Sequence, residues 1–233
     1  MRSFADFDSR GYRMVDVRTG YREWVPTYEQ TVQDEMDIVL LEELRAPVWA
    51  DLGRVADLGC GTGRTAEWLR RHGVSGQIDG VDITPEMLEV ARERGAHDGL
   101  FEAGVTATGL DGDAYDLVIA SLVDEHLPEL GPLYREACRI AAPGGLFVLV
   151  AFHPHFIIAS GMPTHFTNEA GEPVAIATHV HLLSDQVSAG LEAGFELAEL
   201  REGVIDDRWL ALKPKWERYR GHPISAAFAW RAV

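Results

Sequence analysis

The sequence predicts an α/β fold, a mostly parallel sheet covered by helices on both faces. Three observations carry this. Short apolar runs alternate with helical segments from about Arg54 to Phe152. A turn with three glycines, DLGCGTGR (57–64), links the first of these runs to the first of these helices. The last two apolar runs have no helix between them, so they are expected to pair antiparallel at one edge of the sheet.

The elements follow in order. PTYEQTVQDEMDIVLLEELR (26–45) reads as one amphipathic helix, with Val32, Met36, Val39, Leu40 and Leu44 on one face. RVADLG is a buried strand. GRTAEWLRRHG is a helix that Gly73 closes. QIDGVDI is the second strand. TPEMLEVARERG is a helix with Thr84 at the N-cap, Pro85 at the first helical position and Gly95 at the end. GLFEAG is a weak strand, YDLVIAS a strand, LGPLYREACRIA a helix, and GGLFVLVAF a strand after a Pro-Gly-Gly turn. LSDQVSAGLEAG is a helix, and FELAELREG and ISAAFAWRAV are the final strands.

At 233 residues and 46% hydrophobic content, the chain is expected to form one domain, 1–233, with a sizeable core. The parts are an N-terminal cap (1–45), a core (46–152) and two inserts (153–183 and 203–225). The net charge of -16 disfavours nucleic acid and anionic membrane as partners. Only Cys60 and Cys138 occur, without metal-ligand spacing, which fits a reduced compartment. MRSFADFDSRGYR is charged throughout and reads as no signal peptide. No run approaches the ~20 apolar residues of a membrane span. The expected location is cytoplasmic, as a monomer or homodimer.

In open α/β sheets ligands bind beyond the carboxyl ends of the strands, where the glycine turn lies. Its pattern is Gly59-x-Gly61-x-Gly63. The dinucleotide fingerprint would need glycine at 64, where the chain has Arg64, and the Gly-Lys-Ser/Thr of a phosphate loop is absent. Asp57 ahead of the turn would repel a pyrophosphate and suit an ammonium group. Asp82, ending the second strand, is placed to accept both hydroxyls of a ribose. Ammonium at one end and ribose at the other describe S-adenosylmethionine better than a dinucleotide.

VADLGCGTGR, GVDITPEML, YDLVIASLVDEHL and APGGLFVLV, in that order, resemble the class I S-adenosylmethionine-dependent methyltransferases over about Tyr21 to Val233. The resemblance implies a three-layer α-β-α, Rossmann-like fold with a seven-stranded sheet in the order 3-2-1-4-5-7-6, strand 7 antiparallel. It implies that Asp57, Gly59, Cys60, Gly61 and Gly63 form the loop at the methionine end of the cofactor. Asp82 would hold the ribose, and Ile83 and Met87 would lie against adenine. Ser121 and Leu122 would line the cofactor near its methyl group. YREWVPTYE resembles the family's N-terminal Y-D-x-W-A-x-x-Y segment, which brings Tyr21 and Tyr28 toward the cofactor's carboxylate. The chain departs from many relatives after the third strand, where Gly104-Val105 stands in place of Gly-Asp.

The long inserts, HPHFIIASGMPTHFTNEAGEPVAIATHVHLL with a hairpin turn at NEAGE and GVIDDRWLALKPKWERYRGHP, are expected to roof the active face. Five of nine histidines fall in the first: His153, His155, His165, His179 and His181. The pairs 153/155 and 179/181 have the period of one strand face. They read as a general base, as a metal site or as structural residues, and no metal is assigned because no matching carboxylate or thiolate cluster accompanies them. His126, His153, His155 and His181 are the candidate bases. Lys213, Lys215, Arg218 and Arg220 read either as an anion site or as a solvated loop, with Trp209, Trp216 and Tyr219 as flat walls. Asp124 and Glu125 read as solvated loop charges or a cation site. The expected acceptor is a small molecule, aromatic or anionic, methylated on oxygen in preference to nitrogen or carbon. The alternatives are other chemistry on the same fold, such as a cyclisation, and a non-catalytic cofactor-binding protein.

Overall fold

Seven strands form the main sheet of the computed structural model, which describes residues 2–233. They are β1 (Arg54–Leu58), β2 (Gln77–Asp82), β3 (Gly99–Glu102), β4 (Tyr115–Ser121), β5 (Ala141–Phe152), β6 (Phe195–Val204) and β7 (Pro223–Ala232). Their order is 3-2-1-4-5-7-6. Strands β1 to β5 are parallel and β7 runs antiparallel to both β5 and β6. This is the expected Rossmann-like sheet.

The central strands are apolar on both faces because helices cover both. Val118, Ala120, Phe147, Leu149, Phe228 and Trp230 face one core, shared with helices Gly131–Ile140 and Leu183–Ala193. Their alternating neighbours Leu117, Ile119, Val148, Val150, Ala227 and Ala229 face a second core, under helices Ile38–Glu43 and Arg64–Arg71. Period-two alternation thus feeds two apolar layers, and the strand sequence reads as a continuous run.

The roof is built by chain the periodicity did not resolve. Helix Val17–Trp24 packs on a small sheet in which Arg13–Val15 runs parallel to Pro173–Ile176, and His165–Thr167 pairs antiparallel to the latter across the NEAGE turn. Trp24, Phe166, Val174 and Ile176 form its core. Helices Pro154–Ser160 and Asp207–Leu212 meet in a second roof core of Phe156, Ile205, Trp209 and Tyr219.

Segment 26–45 is not one helix. A single turn, Tyr28–Thr31, is followed by extended backbone at Val32 and Gln33, and helix restarts at Ile38. The cause is Asp37, whose buried carboxylate accepts from Ile38 N–H (2.8 Å) and Ser121 Oγ (3.1 Å) and pairs with Arg64 (3.1 Å). These partners lie across the cavity face, and a continuous helix would carry Asp37 away from them. Thr84 sits at the expected N-cap but its hydroxyl makes no capping bond. Asp82 instead accepts from Thr84 N–H at 2.8 Å.

Gly190 lies flat against Trp230, where a Cβ would come within 2.6–2.8 Å of three ring atoms. Gly190→Ala should therefore force this helix off the sheet and cost about 1–3 kcal/mol, as overpacking does. Urea unfolding monitored by Trp fluorescence checks this. An unchanged midpoint would show that the helix shifts freely.

Candidate functional site

A cavity of about 270 Å³ opens at the carboxyl ends of β1, β2 and β4, the point where strand order reverses. Gly59 and Gly61 form its floor with φ of +70° and +52°, values other residues adopt at a cost. A Cβ at Gly59 would collide with Val123, whereas one at Gly61 would meet nothing within 4 Å. The N–H groups of Gly59 and Cys60 both donate to Val81 O, which pins the turn to the end of β2. Asp82 closes the ring. Its Oδ2 accepts from Gly61 N–H (2.9 Å) and its Oδ1 from Thr84 N–H, and burial holds its carboxyl above the usual range against those two bonds.

Of the residues expected to bind cofactor, eleven line this cavity: Tyr21, Tyr28, Gly59, Gly61, Asp82, Ile83, Met87, Gly104, Val105, Ser121 and Leu122. Asp57, Cys60 and Gly63 do not. Asp57 points under the loop and accepts from His97 Nε2 at 3.1 Å, both side chains buried. Cys60 is buried, which pushes its thiol well above the usual range. Gly63 is the N-cap of helix Arg64–Arg71 and packs on His97. His97, which also fills the space a Gly80 side chain would take, went unnoticed because its partners are remote in sequence.

A second cavity, about 320 Å³, lies between the two roof cores. Trp24, Phe156, Phe166, Trp209 and Trp216 give it aromatic walls, and Tyr21, Tyr28 and Leu122 border both cavities. Leu122 sits at φ +56°, a left-handed conformation that costs a branched side chain about 1 kcal/mol. Its N–H is held by Val150 O at 2.8 Å. Burial keeps the Tyr21 hydroxyl protonated by pushing it well above its ordinary pKa.

Only one of the four candidate bases reaches this junction. His126 lines the first cavity, with Nδ1 2.8 Å from Ala177 O and Nε2 2.8 Å from Tyr21 Oη. A carbonyl only accepts, so Nδ1 carries the proton and Nε2 accepts from Tyr21. His153 is the N-cap of helix Pro154–Ser160: its Nδ1 accepts from His155 N–H (3.1 Å) and its Nε2 donates to Glu202 (2.9 Å). His155 pairs with His222 at 3.1 Å, and His181 Nε2 donates to Leu127 O at 2.8 Å. None of these three lines either cavity. The 153/155 spacing falls at a helix start and not on a strand. No group of three or more His, Cys, Asp or Glu is placed to hold a metal among the described residues.

Asp124 and Glu125 are not solvated: they are 2% and 3% exposed. Asp124 accepts from Gln186 Nε2 at 2.6 Å, and burial, with Glu125 beside it, pushes its carboxyl well above the usual range. Glu125 lines the aromatic cavity. Its Oε1 accepts from Thr164 Oγ1 (3.2 Å) and lies 3.8 Å from His126 Nε2, while its buried Oε2 has no protein partner.

A glycine-floored cavity at the switch point of a 3-2-1-4-5-7-6 sheet defines a nucleoside-binding domain of the class I methyltransferase type. Residues 56–149 match the family described as a methyltransferase domain. Malonyl-[acyl-carrier protein] O-methyltransferase of Halorhodospira halophila is 31% identical over 170 residues, 70% of this chain and 55% of that protein. The chain spans less than two thirds of the length of the first curated relatives it matches. An S-adenosylmethionine-dependent methyltransferase structure from Mesorhizobium loti superposes with a TM-score of 0.66 at 23% identity, over 84% of this chain and 97% of that one. A [4+2]-cyclase has the same fold, with a TM-score of 0.64 at 18% identity over 96% of this chain and 99% of that one. The chain thus carries a methyltransferase domain with the fold of the class I S-adenosylmethionine-dependent enzymes. Among the described residues no helix is long and apolar enough to cross a membrane.

The cap role of His153 has a pH signature. Burial lowers its pKa, so the unfolded chain binds the proton more readily than the folded one. The cap's stabilisation is full above about pH 6.5, the unfolded value, and is lost as pH falls through the lower folded value. His153→Asn, which keeps a capping acceptor but does not titrate, should flatten the fall in unfolding free energy between pH 7 and 5. An unaltered slope in denaturant titrations would refute this role.

Proposed function

We propose that the chain transfers a methyl group from S-adenosylmethionine, held in the glycine-floored cavity, to a small acceptor with an apolar or aromatic body held in the second cavity. The observation that carries this is the shared wall. Tyr21, Tyr28 and Leu122 border both spaces, so the two cavities adjoin across these three side chains alone. The lining fits the cofactor: Asp82 keeps lone pairs free for ribose hydroxyls, and Met87, Ile83 and Val105 offer an apolar slot for adenine. The glycine backbone with Tyr21 and Tyr28 is left for the methionine end. When bound, the cofactor supplies an activated methyl on a sulfonium.

Oxygen is the favoured acceptor atom. A hydroxyl must lose its proton as it attacks, and Glu125 lines the acceptor cavity beside His126 with one carboxyl oxygen buried and unpartnered. The Ala177 carbonyl keeps the His126 imidazole in one tautomer, and Tyr21, by bonding Nε2, fixes the wall against which the acceptor is positioned.

Incubation with methyl-labelled cofactor and a panel of phenols, carboxylic acids and amines tests the reading. Label should enter oxygen acceptors. Cofactor binding with no transfer to any pool would favour other chemistry on this fold, or a binding protein. Asp82→Ala should weaken cofactor affinity by about 1–3 kcal/mol in calorimetric titration, and unchanged affinity would sink the ribose placement. Glu125→Gln should lower kcat about 100-fold while leaving cofactor affinity intact, the scale of losing a general base. Full turnover in this variant would place proton removal elsewhere.

A further inference from the structure

The aromatic cavity has a charged mouth. Arg10, His165, Lys213, Lys215 and Arg218 line an adjoining space of about 670 Å³ that has no acidic residue in its lining. It shares Met162, His165, Lys213 and Trp216 with the aromatic cavity. In a chain with 37 acidic residues against 21 basic ones, this grouping is unusual, and it includes both of the chain's lysines. The acids near these cations in sequence are engaged elsewhere: Arg220 binds Asp207 at 2.5 Å and Glu217 at 2.8 Å, and Asp8 accepts from the backbone N–H groups of Arg10 and Gly11. Among the described residues none of Arg10, Lys213, Lys215 and Arg218 forms an ion pair with a carboxylate. Lys213 is half-buried, its ammonium 4.8 Å from the Trp216 ring centroid, and Arg218 stacks on Tyr219. Aromatic faces thus fix these cations without neutralising them. Four uncompensated charges around one concavity repel each other, and a multiply charged anion relieves that cost.

We propose that this mouth binds a phosphate or diphosphate group of the acceptor, whose apolar body then reaches inward between Trp24, Phe156 and Trp216 toward Glu125 and Leu122. The placement rests on reading the aromatic cavity as the acceptor site. It makes the substrate amphipathic, with its anionic end distal to the methylated end.

Inorganic pyrophosphate is the probe, with acetate for comparison, titrated into the full chain without cofactor and followed by Trp fluorescence and calorimetry. Pyrophosphate should bind saturably, at least 10-fold tighter than acetate. Lys213→Gln/Lys215→Gln should weaken it at least 10-fold, and so should Arg10→Gln, which lies on a separate segment. S-adenosylmethionine affinity should not change in either variant. Non-saturable or equal binding of the two anions, or variants that bind pyrophosphate as the parent does, would overturn the proposal. Because the probe needs no cofactor and no transfer, its failure is distinguishable from failure of the methyltransferase reading, which the Asp82→Ala titration and the label assay decide.

Discussion

The buried pair between Asp37 and Arg64 joins the three parts of the molecule that must agree for a site to exist. Arg64 opens the helix after the glycine turn, Asp37 belongs to the N-terminal cap, and Ser121, bound to the same carboxylate, ends β4. Arg64 also holds Asp34 at 2.5 Å. A parallel clamp lies alongside, where Arg94 binds Glu29 at 2.7 Å and Glu29 accepts from the Thr62 hydroxyl. Burial alone pushes the Asp37 carboxyl up, and Arg64 with two hydrogen-bond donors opposes that push. Breaking one partner of such a pair leaves a charge desolvated and uncompensated. The cap is therefore held over the turn by groups that have no other satisfied arrangement. Tyr21 and Tyr28, carried on that cap, become walls of the cavities through it.

The end of β4 is the second constraint. Within Ser121 to Leu127 the chain supplies the anchor for Asp37, the left-handed Leu122, the buried Glu125 and the His126 that meets Tyr21. Strained backbone persists only where surroundings over-determine it. Here the Leu122 N–H bond to Val150 and the packing of Val123 on Gly59 do so. One short loop thereby sets the distance between the two cavities, and neither can be reshaped without moving the other.

The sheet was legible because its signals are local. Strand runs, the glycine turn and helix ends at Gly73 and Gly95 depend on residues within a few positions of each other. The cavity residues at strand ends followed from topology, whereas Tyr21, Tyr28 and Met87, which lie on helices, were reached through the resemblance. What was not legible depends on remote partners. The 26–45 periodicity is real, yet Asp37's bonds to Arg64 and Ser121 outweigh it. Asp57 looked like a ligand group until His97 claimed it. The histidine pairs suggested one strand face, whereas His153 caps a helix and His155 pairs with His222. Glu125 looked solvated because DEH is polar, and only the packing of Thr164 and the roof over it buries the side chain.

Charge distribution gives the two cavities opposite characters. The first is edged by the Asp82 carboxylate, has no lysine or arginine in its lining, and suits a ligand with an ammonium and a sulfonium. The second opens through arginine and lysine, and suits an anion. A net charge of -16 repels anions over most of the surface, so an anionic molecule drawn to the chain meets a favourable potential mainly at that mouth. Long-range steering fades beyond about 10 Å at ordinary salt, so it is the concavity, with aromatic faces holding the cations in place, that completes capture. Orientation follows from the same asymmetry. A molecule that left its charge at the mouth could advance only with its apolar end first, toward Leu122 and the carboxyl of Glu125.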